Sequence, residues 1–296
     1  MVANEARYAR AFAPGHVTGL FAPATDAADL RARGSRGAGL VLELGVHAEV
    51  TFRPGRRSRI DVRAEASRPL PISRDAARRL APELPGHLTV RLRHDFPIGQ
   101  GFGMSAAGAL STALAVAAVA GRSRSEAVAA AHAADLLGGG GLGGVAAILG
   151  GGLEFRKEPG LPPIGRIEHR SFRRPLWVGV VARPISTRRA LSDPRVRARI
   201  DAQLPRLEEL LARPGSDRFL AASEAFTDRV GLASRELEHL LRGIRRRGAY
   251  AAQGMFGGSF FAVPRTERAR RRVGAWLKTT PVRAVELVAA IRGAHR

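Results

Sequence analysis

The sequence is poor in several residue types, and each shortage argues against a class of function. It contains no cysteine, which excludes disulfide bonds, thiol nucleophiles and cysteine-ligated metals. Aromatic residues make up only 5% of the chain and are dispersed, which is too sparse for a platform that stacks single-stranded nucleic acid. The eight histidines show no metal-ligand spacing such as His-Glu-x-x-His. Thiol chemistry, a histidine-ligated metal centre and base stacking are therefore not expected.

Long apolar runs are also missing. The longest, residues 104–120, is rich in alanine and glycine and includes Ser105, Ser111 and Thr112. It falls short of the roughly 20 strongly apolar residues that a membrane span needs. Residues 1–10 are polar and charged and lack the apolar segment of a signal peptide. We therefore expect a soluble, cytoplasmic protein with no membrane partner.

Acidic residues and lysines are scarce relative to arginine. The chain has 48 basic and 26 acidic residues, a net charge of +22, and Lys157 and Lys278 are its only lysines. One interpretation is an anionic partner, either an acidic metabolite or a nucleic acid bound with steep salt dependence. The other is coding bias from a GC-rich genome. The arginines are scattered along the whole chain, which favours the second interpretation and predicts no specific nucleic-acid partner.

The first half of the chain mixes strand and helix patterns. Alternating apolar and β-branched residues predict strands within residues 40–52, around Ile60 and Val62, and over residues 88–92. Helices are predicted over residues 74–80, 105–120 and 123–137. Ser123 and Glu126 have the spacing of a capping box at the start of the last of these helices.

The second half is predicted to contain strands at 153–156, 177–182, 259–263 and 283–288, and helices at 193–211, 217–232, 235–246 and 266–277. Strands and helices do not alternate strictly, so the pattern favours an α+β fold over a doubly wound sheet. The proline-rich stretch Pro159–Pro163 is the best linker candidate. It divides the chain into predicted domains of residues 1–160 and 161–296.

A glycine-rich segment, residues 97–108, is the strongest candidate for a binding site. Its three glycines at alternate positions, Gly99, Gly101 and Gly103, leave backbone amides free to turn toward an anion. A predicted helix follows directly and adds free N–H groups and the positive end of its dipole. These features predict a polyphosphate cradle in which Ser105 presents its hydroxyl. A flexible strand-to-helix connection is the alternative.

This segment, Pro-x-x-x-Gly-x-Gly-x-Ser-Ala-Ala before an alanine-rich helix, resembles the ATP loop of the GHMP kinases. Two further segments resemble motifs of the same superfamily, residues 13–21 near the amino terminus and the glycine-rich residues 254–261. The resemblance spans nearly the whole chain. It implies a two-part fold, with an amino-terminal half like ribosomal protein S5 domain 2 and an α/β carboxyl-terminal half.

Several shorter segments are more specific and are similar to those of the archaeal pantoate kinases. They are Ala-Pro-Gly-His-Val-Thr-Gly at 13–19, Gly-Ser-Arg-Gly-Ala-Gly at 34–39, Gly-Phe-Gly-Met-Ser-Ala-Ala-Gly at 101–108, Ala-His-Ala-Ala-Asp at 131–135, Gly-Gly-Gly-Leu-Glu-Phe-Arg at 150–156 and Ile-Ser-Thr-Arg at 185–188. This similarity implies ATP- and Mg²⁺-dependent phosphorylation of pantoate to 4-phosphopantoate, a step toward coenzyme A.

The resemblance also implies roles for individual residues. Ser105 and Asp135 would be the catalytic residues and the Mg²⁺ ligands, with Asp135 standing where the family usually has glutamate. The substrate would be bound by Ser35, His132, Arg156 and Arg188. The nucleotide would be bound by Pro97, Gly99, Gly101, Phe102, Gly103, Met104, Ser105, Ala106, Ala107, Gly257 and Gly258. A carboxylate substrate suits an arginine fork.

One segment departs from the family pattern. Where the family normally reads Thr-Gly-Leu-Gly-Asp, this chain reads Gly-Gly-Leu-Gly-Gly at 140–144, so Gly144 replaces an expected catalytic aspartate. Three interpretations follow: a kinase that works without this carboxylate, a pseudokinase that binds nucleotide or pantoate, or a sequence variant or relocated carboxylate. Losing a general base commonly lowers a rate by about 10²–10⁴-fold.

Other points stay open in the sequence. The substrate could be another small hydroxy compound, such as shikimate, homoserine or a mevalonate derivative. His16 could contact substrate or only satisfy a turn. The oligomeric state is undetermined, and a homodimer is one of the states left open.

Overall fold

The computed structural model describes residues 5–64, 69–82, 84–289 and 292–295, apart from the side chain of Arg188. The strands are β1 Arg7–Ala24, β2 Gly34–Pro54, β3 Arg59–Ala64, β4 Gly86–His94, β5 Leu153–Glu158, β6 Arg166–Arg170, β7 Leu176–Val180, β8 Ala249–Gln253, β9 Ser259–Pro264 and β10 Arg283–Leu287. The helices are α1 Pro71–Leu80, α2 Met104–Ala120, α3 Arg124–Gly138, α4 Gly144–Ala147, α5 Thr187–Ser192, α6 Pro194–Asp201, α7 Leu204–Ala212, α8 Ser216–Val230, α9 Arg235–Arg245 and α10 Glu267–Leu277. A short 3₁₀ turn, Leu30–Ala32, precedes β2.

The amino-terminal half is built on a sheet in the order β3-β4-β2-β5-β6, with β1 also paired to β2. The long strand β2 joins two parts of this sheet. Its first residues, Gly37–Leu40, pair with β5, and its last, Val46–Pro54, pair with β4. β1 runs antiparallel along β2, with register shifts after Pro14 and Thr18. The single strand β2 therefore links the part of the sheet around Gly37 to the part paired with β4, whose buried side chains belong to the hydrophobic core.

Helix α2 lies between this sheet and helices α1 and α3. Gly108 and most of its alanines are buried, and the buried residues lie on every side of the helix, as expected for a helix at the centre of a core. α3 begins with the predicted capping box: the Ser123 hydroxyl accepts from Glu126 N at 3.2 Å and Glu126 Oε2 accepts from Ser123 N at 2.8 Å. In the part of the chain that the structure describes, no helix is both long and apolar enough to cross a membrane.

The carboxyl-terminal half is built on an antiparallel sheet in the order β10-β7-β9-β8. Buried side chains of β7 to β9, including Trp177 and Phe260, pack with Leu237 and Ile244 of α9 and Val273 of α10. With the amino-terminal half, this arrangement confirms the predicted α+β fold.

The prediction of one continuous helix over residues 193–211 is wrong, because the segment forms two helices, α6 and α7. Asp193 caps α6 by accepting from Arg195 N at 2.8 Å, and that helix ends at Asp201. Pro205 lies in the first turn of α7, where its missing N–H has no helical partner to lose. A proline in the middle of one long helix would break it, so two helices form.

The proline-rich stretch is not a linker between the halves, which corrects the sequence interpretation. Pro159–Pro163 lies in the connection between β5 and β6, which pair antiparallel in the same sheet. β6 was not predicted, because its sequence Arg-Ile-Glu-His-Arg has only one apolar residue. The division into residues 1–160 and 161–296 stays a prediction, although β6 belongs to the first sheet.

Candidate active site

The glycine-rich loop between β4 and α2 adopts the conformation that its three glycines allow. Gly99, Gly101 and Gly103 have φ angles of +84°, +82° and +66°, in the left-handed region that side chains disfavour. Helix α2 begins at Met104, immediately after Gly103, so its first N–H groups are unpaired within the helix. Phe102 is buried beneath the loop and stacks on Phe96, with ring centroids 4.4 Å apart. The loop, Phe96–Gly103, thus presents backbone rather than side chains.

The carboxyl-terminal half holds this loop from behind. Gly258 N donates to Gln100 Oε1 at 3.1 Å, and Gln100 Nε2 donates to Ala182 O at 3.3 Å. Gly257 lies so close that an added Cβ would be 2.1 Å from the Gln100 carbonyl. The glycines therefore permit a direct backbone approach between the two halves.

A cavity of about 290 Å³ opens between the loop, the amino-terminal sheet and connecting segments of the carboxyl-terminal half. Of the residues predicted to bind nucleotide, metal or substrate, those that line it are Gly99, Gly101, Gly103, Met104, Ser105, Ala106, Asp135, Ser35 and Arg156. Pro97 is exposed, Phe102 and Ala107 are buried, and Gly257 and Gly258 contact the loop from behind. The cavity wall also includes Phe256 and residues 185–187. Both halves of the chain therefore contribute to the site.

Asp135 and Ser105 present oxygen atoms to the same point of this cavity. The two residues come from α3 and from the first turn of α2. A Cβ added at Gly140 would lie 2.1 Å from Asp135 Oδ1 and 2.4 Å from Ser105 Oγ. Burial raises the pKa of Asp135 to about 7, with the Ser105 hydroxyl acting in the opposite direction. Asp135 Oδ1 is buried and has no hydrogen-bond partner among the described residues, so the pair is poised to bind a ligand.

Gly144, the position of the expected aspartate, begins α4 beside these two residues. A Cβ at this position would lie 3.8 Å from Asp135 Oδ2 but only 2.7 Å from Ala106 Cβ. Asp135 therefore places its carboxylate close to the position where the family has a second one. Adding a side chain at Gly144 requires Ala106 or α4 to shift.

A second polar cluster lies on the other side of the segment Gly139–Gly144. Arg156 donates through Nη1 to Glu154 Oε1, and its Nε is buried without a partner among the described residues. A Cβ at Gly143 would lie 3.3 Å from Arg156 Nε and 2.9 Å from Ser35 Oγ. A cation and a hydroxyl thus converge on the same glycine. Such a pair can bind a carboxylate.

His16 completes this cluster from β1. Its Nε2 donates to Glu154 Oε1 at 2.9 Å, and its Nδ1 lies 3.4 Å from the Thr18 hydroxyl. Burial lowers the pKa of His16 and outweighs the opposite effect of Glu154. Burial alone would raise the pKa of Glu154, but the Arg156 charge and the His16 hydrogen bond hold it below its usual value. The cluster is therefore an ion pair with a neutral histidine.

Of the residues predicted to bind substrate, His132 does not line the cavity, and the side chain of Arg188 is outside the described residues. His132 Nε2 lies 3.2 Å from Leu30 O and 3.1 Å from Arg33 O, so it supports the 3₁₀ turn that leads into Ser35. It is not among the residues that line the cavity. Arg188 lies in α5, and its side chain is outside the described residues. Their contacts with substrate stay predictions.

Sequence analysis gave no individual site role to Glu154, Thr18 or Phe256, and it considered segment 140–144 only as the place of a missing aspartate, not as part of the cavity wall. The signal for Glu154 was its spacing from Arg156. Two charged residues at alternate positions of a strand point to the same face, and here their neighbours Leu153 and Phe155 are apolar. A buried face with two opposite charges indicates a paired cluster.

Glycines of β2 make room for this cluster, and one substitution tests that role. A Cβ at Gly39 would lie 2.3 Å from His16 Nε2 and 2.5 Å from Val17 O. We expect Gly39→Ala to lower the free energy of unfolding by about 1–3 kcal/mol, measured by urea denaturation. The control is Gly55→Ala in the exposed connection between β2 and β3, where an added Cβ would lie 3.5 Å from Gly86 Cα, an ordinary van der Waals contact. Equal urea midpoints for the two variants would mean that the cluster can accommodate an added methyl group, which would contradict the assigned role of Gly39.

Comparison with known proteins agrees with this geometry. The family model "GHMP kinases N terminal domain" matches residues 71–152. A pantoate kinase of Thermococcus kodakarensis is 34% identical over 272 residues, covering 88% of this chain and 89% of that protein. One of Methanospirillum hungatei is 31% identical over 281 residues, covering 91% and 92%. A solved structure described as a phosphotransferase related to the CoA biosynthesis pathway superposes with a TM-score of 0.88 at 30% identity, covering 98% of each chain. The chain therefore belongs to the GHMP kinase superfamily of small-molecule kinases and resembles the archaeal pantoate kinases.

Proposed function

We propose that this protein transfers the γ-phosphoryl group of ATP to the terminal hydroxyl of pantoate, forming 4-phosphopantoate and ADP. One observation carries the proposal: a single cavity combines an anion-binding backbone loop with Ser105 and Asp135 on one side of segment 139–144 and with Ser35 and Arg156 on the other. The names of the two relatives support pantoate as the substrate.

The nucleotide would bind at the glycine-rich loop. Free N–H groups at the start of α2 and in the loop suit the β- and γ-phosphates, and the helix dipole favours their negative charge. Gly99, Gly101 and Gly103 allow the left-handed backbone of the loop, and the missing Cβ of Gly101 makes room for the Gly254 carbonyl, which would lie only 2.4 Å from it. Met104 and Ala106 would lie alongside the phosphates.

The residues present fit a Mg²⁺ ion. The unpartnered Asp135 Oδ1 and the Ser105 hydroxyl are hard oxygen ligands that face one point. The described residues contain no group of three or more His, Cys, Asp or Glu residues suited to a metal. A two-ligand site is usual for Mg²⁺, which takes its remaining ligands from phosphates and water. When bound, the ion would neutralise charge on the phosphates.

Pantoate would bind by its carboxylate at Arg156. The guanidinium is charged at every relevant pH and can donate two parallel hydrogen bonds to a carboxylate. Ser35 lies next to it and offers a hydroxyl, and the phosphate loop lies beyond His16. This arrangement would direct the far end of the molecule, which carries the hydroxyl, toward Ser105 and Asp135.

The chemistry requires mainly positioning. The pantoate hydroxyl oxygen forms a bond to the γ-phosphorus while the bond from that phosphorus to the β–γ bridging oxygen breaks, and ADP leaves with that oxygen. Phosphoryl transfer passes through a loose transition state, so charge neutralisation and alignment dominate catalysis. The hydroxyl proton can pass to the transferred phosphoryl group late in the reaction. A second carboxylate at Gly144 is then not essential.

A binding protein without turnover is the second candidate function, favoured by the glycine at 144 alone. It would bind ATP and pantoate in the same cavity, without forming product over long incubation. This candidate differs from the kinase only in rate, so a direct assay separates them.

We expect the native chain to form ADP from ATP and Mg²⁺ in the presence of pantoate, with lower rates on shikimate, homoserine and mevalonate. A coupled ADP assay measures this. Gly144→Asp should be tested beside Gly144→Asp/Ala106→Gly, because the single variant crowds Ala106. Activity that appears only in the double variant would mean that the native site lacks an essential carboxylate. Binding of ATP and pantoate by calorimetry without product from any variant would identify a binding protein.

A further inference from the structure

Glu154 is the most deeply enclosed charged residue of the cavity region, and the chemistry proposed above does not use it. Its side chain has no exposed surface. One of its oxygens, Oε1, accepts from both Arg156 Nη1 and His16 Nε2, the latter at 2.9 Å. The other oxygen, Oε2, has no hydrogen-bond partner among the described residues. A fully buried carboxylate is stable only when charges or donors compensate it, so its position and those of its partners are tightly coupled.

The strands around Glu154 are arranged to accommodate this cluster. Glu154 and Arg156 lie on one face of β5, opposite Gly39 and Gly37 of β2. A Cβ at Gly39 would meet His16 Nε2 at 2.3 Å, and one at Gly37 would meet Arg156 Nη2 at 2.6 Å. The two glycines thus leave the space that the histidine and the guanidinium fill. The face of the sheet is shaped for the cluster rather than for apolar packing.

The partners of Glu154 lie on the two sides of the reaction that the cavity would hold. Arg156 lines the cavity beside Ser35, where a substrate carboxylate would bind. His16 lines it beside the phosphate loop, since its main-chain N donates to Phe102 O at 2.9 Å. Glu154 therefore connects the group that would hold the substrate to the residue that contacts the loop.

We propose that Glu154 is a positioning residue, which fixes Arg156 and His16 in the orientations that bind the substrate carboxylate and align it with the phosphate loop. The proposal rests on the proposed kinase function for its kinetic consequence. An arginine side chain has many rotamers, and fixing it before the substrate arrives reduces the entropy lost on binding. For His16, donation from Nε2 to Glu154 and the Thr18 hydroxyl near Nδ1 select the neutral tautomer with the proton on Nε2.

Three variants test the proposal. Glu154→Gln keeps the shape of the side chain and removes its charge. Glu154→Asp keeps the charge but is one methylene short of reaching both partners. The matched control is Glu158→Gln, in the same strand β5. It removes a carboxylate from an exposed ion pair with Arg166 of β6. Circular dichroism and thermal unfolding establish that each variant is folded.

We expect Glu154→Gln to raise KM for pantoate by about 10- to 100-fold, the effect of a misplacement near 1 Å, while KM for ATP changes by less than about 3-fold. Glu154→Asp should recover part of this loss, and Glu158→Gln should behave as the native chain. Equal increases in both KM values, or a loss of kcat with unchanged KM for pantoate, would contradict the assigned role.

A second readout requires no substrate. In ¹⁵N NMR spectra of the native chain, the His16 ring, assigned by its absence in His16→Gln, should show the tautomer protonated on Nε2. In Glu154→Gln it should become a mixture of tautomers, and the Arg156 Nε–H signal should shift. Unchanged spectra would overturn the proposal whatever the kinetics show. If the native chain does not phosphorylate pantoate, the proposed function fails, and the spectra still decide whether Glu154 positions its two partners.

Discussion

Replacing Asp135 by asparagine is expected to lower kcat by on the order of 10³-fold, because it removes the carboxylate that faces the phosphate loop. Asparagine keeps the size of the side chain, so the cavity keeps its shape. The measurement is ADP formation at saturating ATP, Mg²⁺ and pantoate. Asp75→Asn, in the exposed i,i+4 pair of α1, is the control. A rate within about 3-fold of the native value would remove Asp135 from the mechanism.

The same substitution has an opposite effect on stability, and its pH dependence follows from the pKa of about 7. In the folded chain, the Asp135 carboxyl stays protonated up to about pH 7, whereas in the unfolded chain it loses its proton near pH 4. The contribution of Asp135 to the free energy of unfolding therefore falls between about pH 4 and 7 and stays lower above that range. Asp135→Asn should show no such fall, and above pH 7 it should be more stable by on the order of 2–4 kcal/mol. Urea denaturation at pH 4 and pH 8 measures the difference.

Replacing Arg156 by methionine is expected to raise KM for pantoate about 100-fold and to lower stability by about 3–5 kcal/mol, since Glu154 would be left buried without its cation. Arg156→Lys should also bind pantoate weakly, because an ammonium group cannot form the planar fork. Steady-state kinetics and urea denaturation give the two values.

The double variant Arg156→Met/Glu154→Gln separates these two effects. It removes both charges of the buried pair, so stability should return toward the native value while KM for pantoate stays high. If KM for pantoate is unchanged in Arg156→Met, the substrate carboxylate binds elsewhere in the cavity and the orientation proposed for pantoate is wrong.

Local signals in the sequence predicted most of the elements correctly. Helix α3 begins where Ser123 and Glu126 indicated, because a capping box depends only on residues three apart. Strand β4 lies where Leu88, Val90 and Leu92 alternate, since one face of it is buried. The glycine-rich loop, Phe96–Gly103, could be predicted because three alternating glycines are seldom needed except where the backbone is left-handed.

Elements that depend on distant partners were not predicted. β8 has the sequence Ala-Tyr-Ala-Ala-Gln, which has little intrinsic strand preference, and it forms because β9 pairs with it. β1 contains Pro14 and Gly15, and its register shifts at these residues, so its apolar pattern has no steady period. In both cases tertiary pairing decides the structure, and the local sequence does not show it.

The candidate site was predictable to the extent that it is contiguous in sequence. Ser105 was indicated by the glycine-rich segment, and Asp135 by the resemblance of residues 131–135, within α3, to the family motif. The contact between His16 and Glu154 joins residues 138 positions apart, and no local pattern indicates it. The proximity of Asp135 to Gly144 likewise depends on how α3 and α4 pack.

Strand β2 carries the site glycines at its beginning and core side chains such as Val46 and Val50 at its end. The register between β1 and β2 shifts between Val41 and Gly45, so this short stretch sets how the glycine-bearing end of β2 is oriented relative to the core-bearing end, and deleting or inserting one residue there would change that orientation. Side chains would then point into the space that the site glycines leave open, or Val46 and Val50 would turn away from the core. Length changes in homologous chains should therefore fall in connections such as residues 55–58, and the interval between Gly39 and Val46 should be constant.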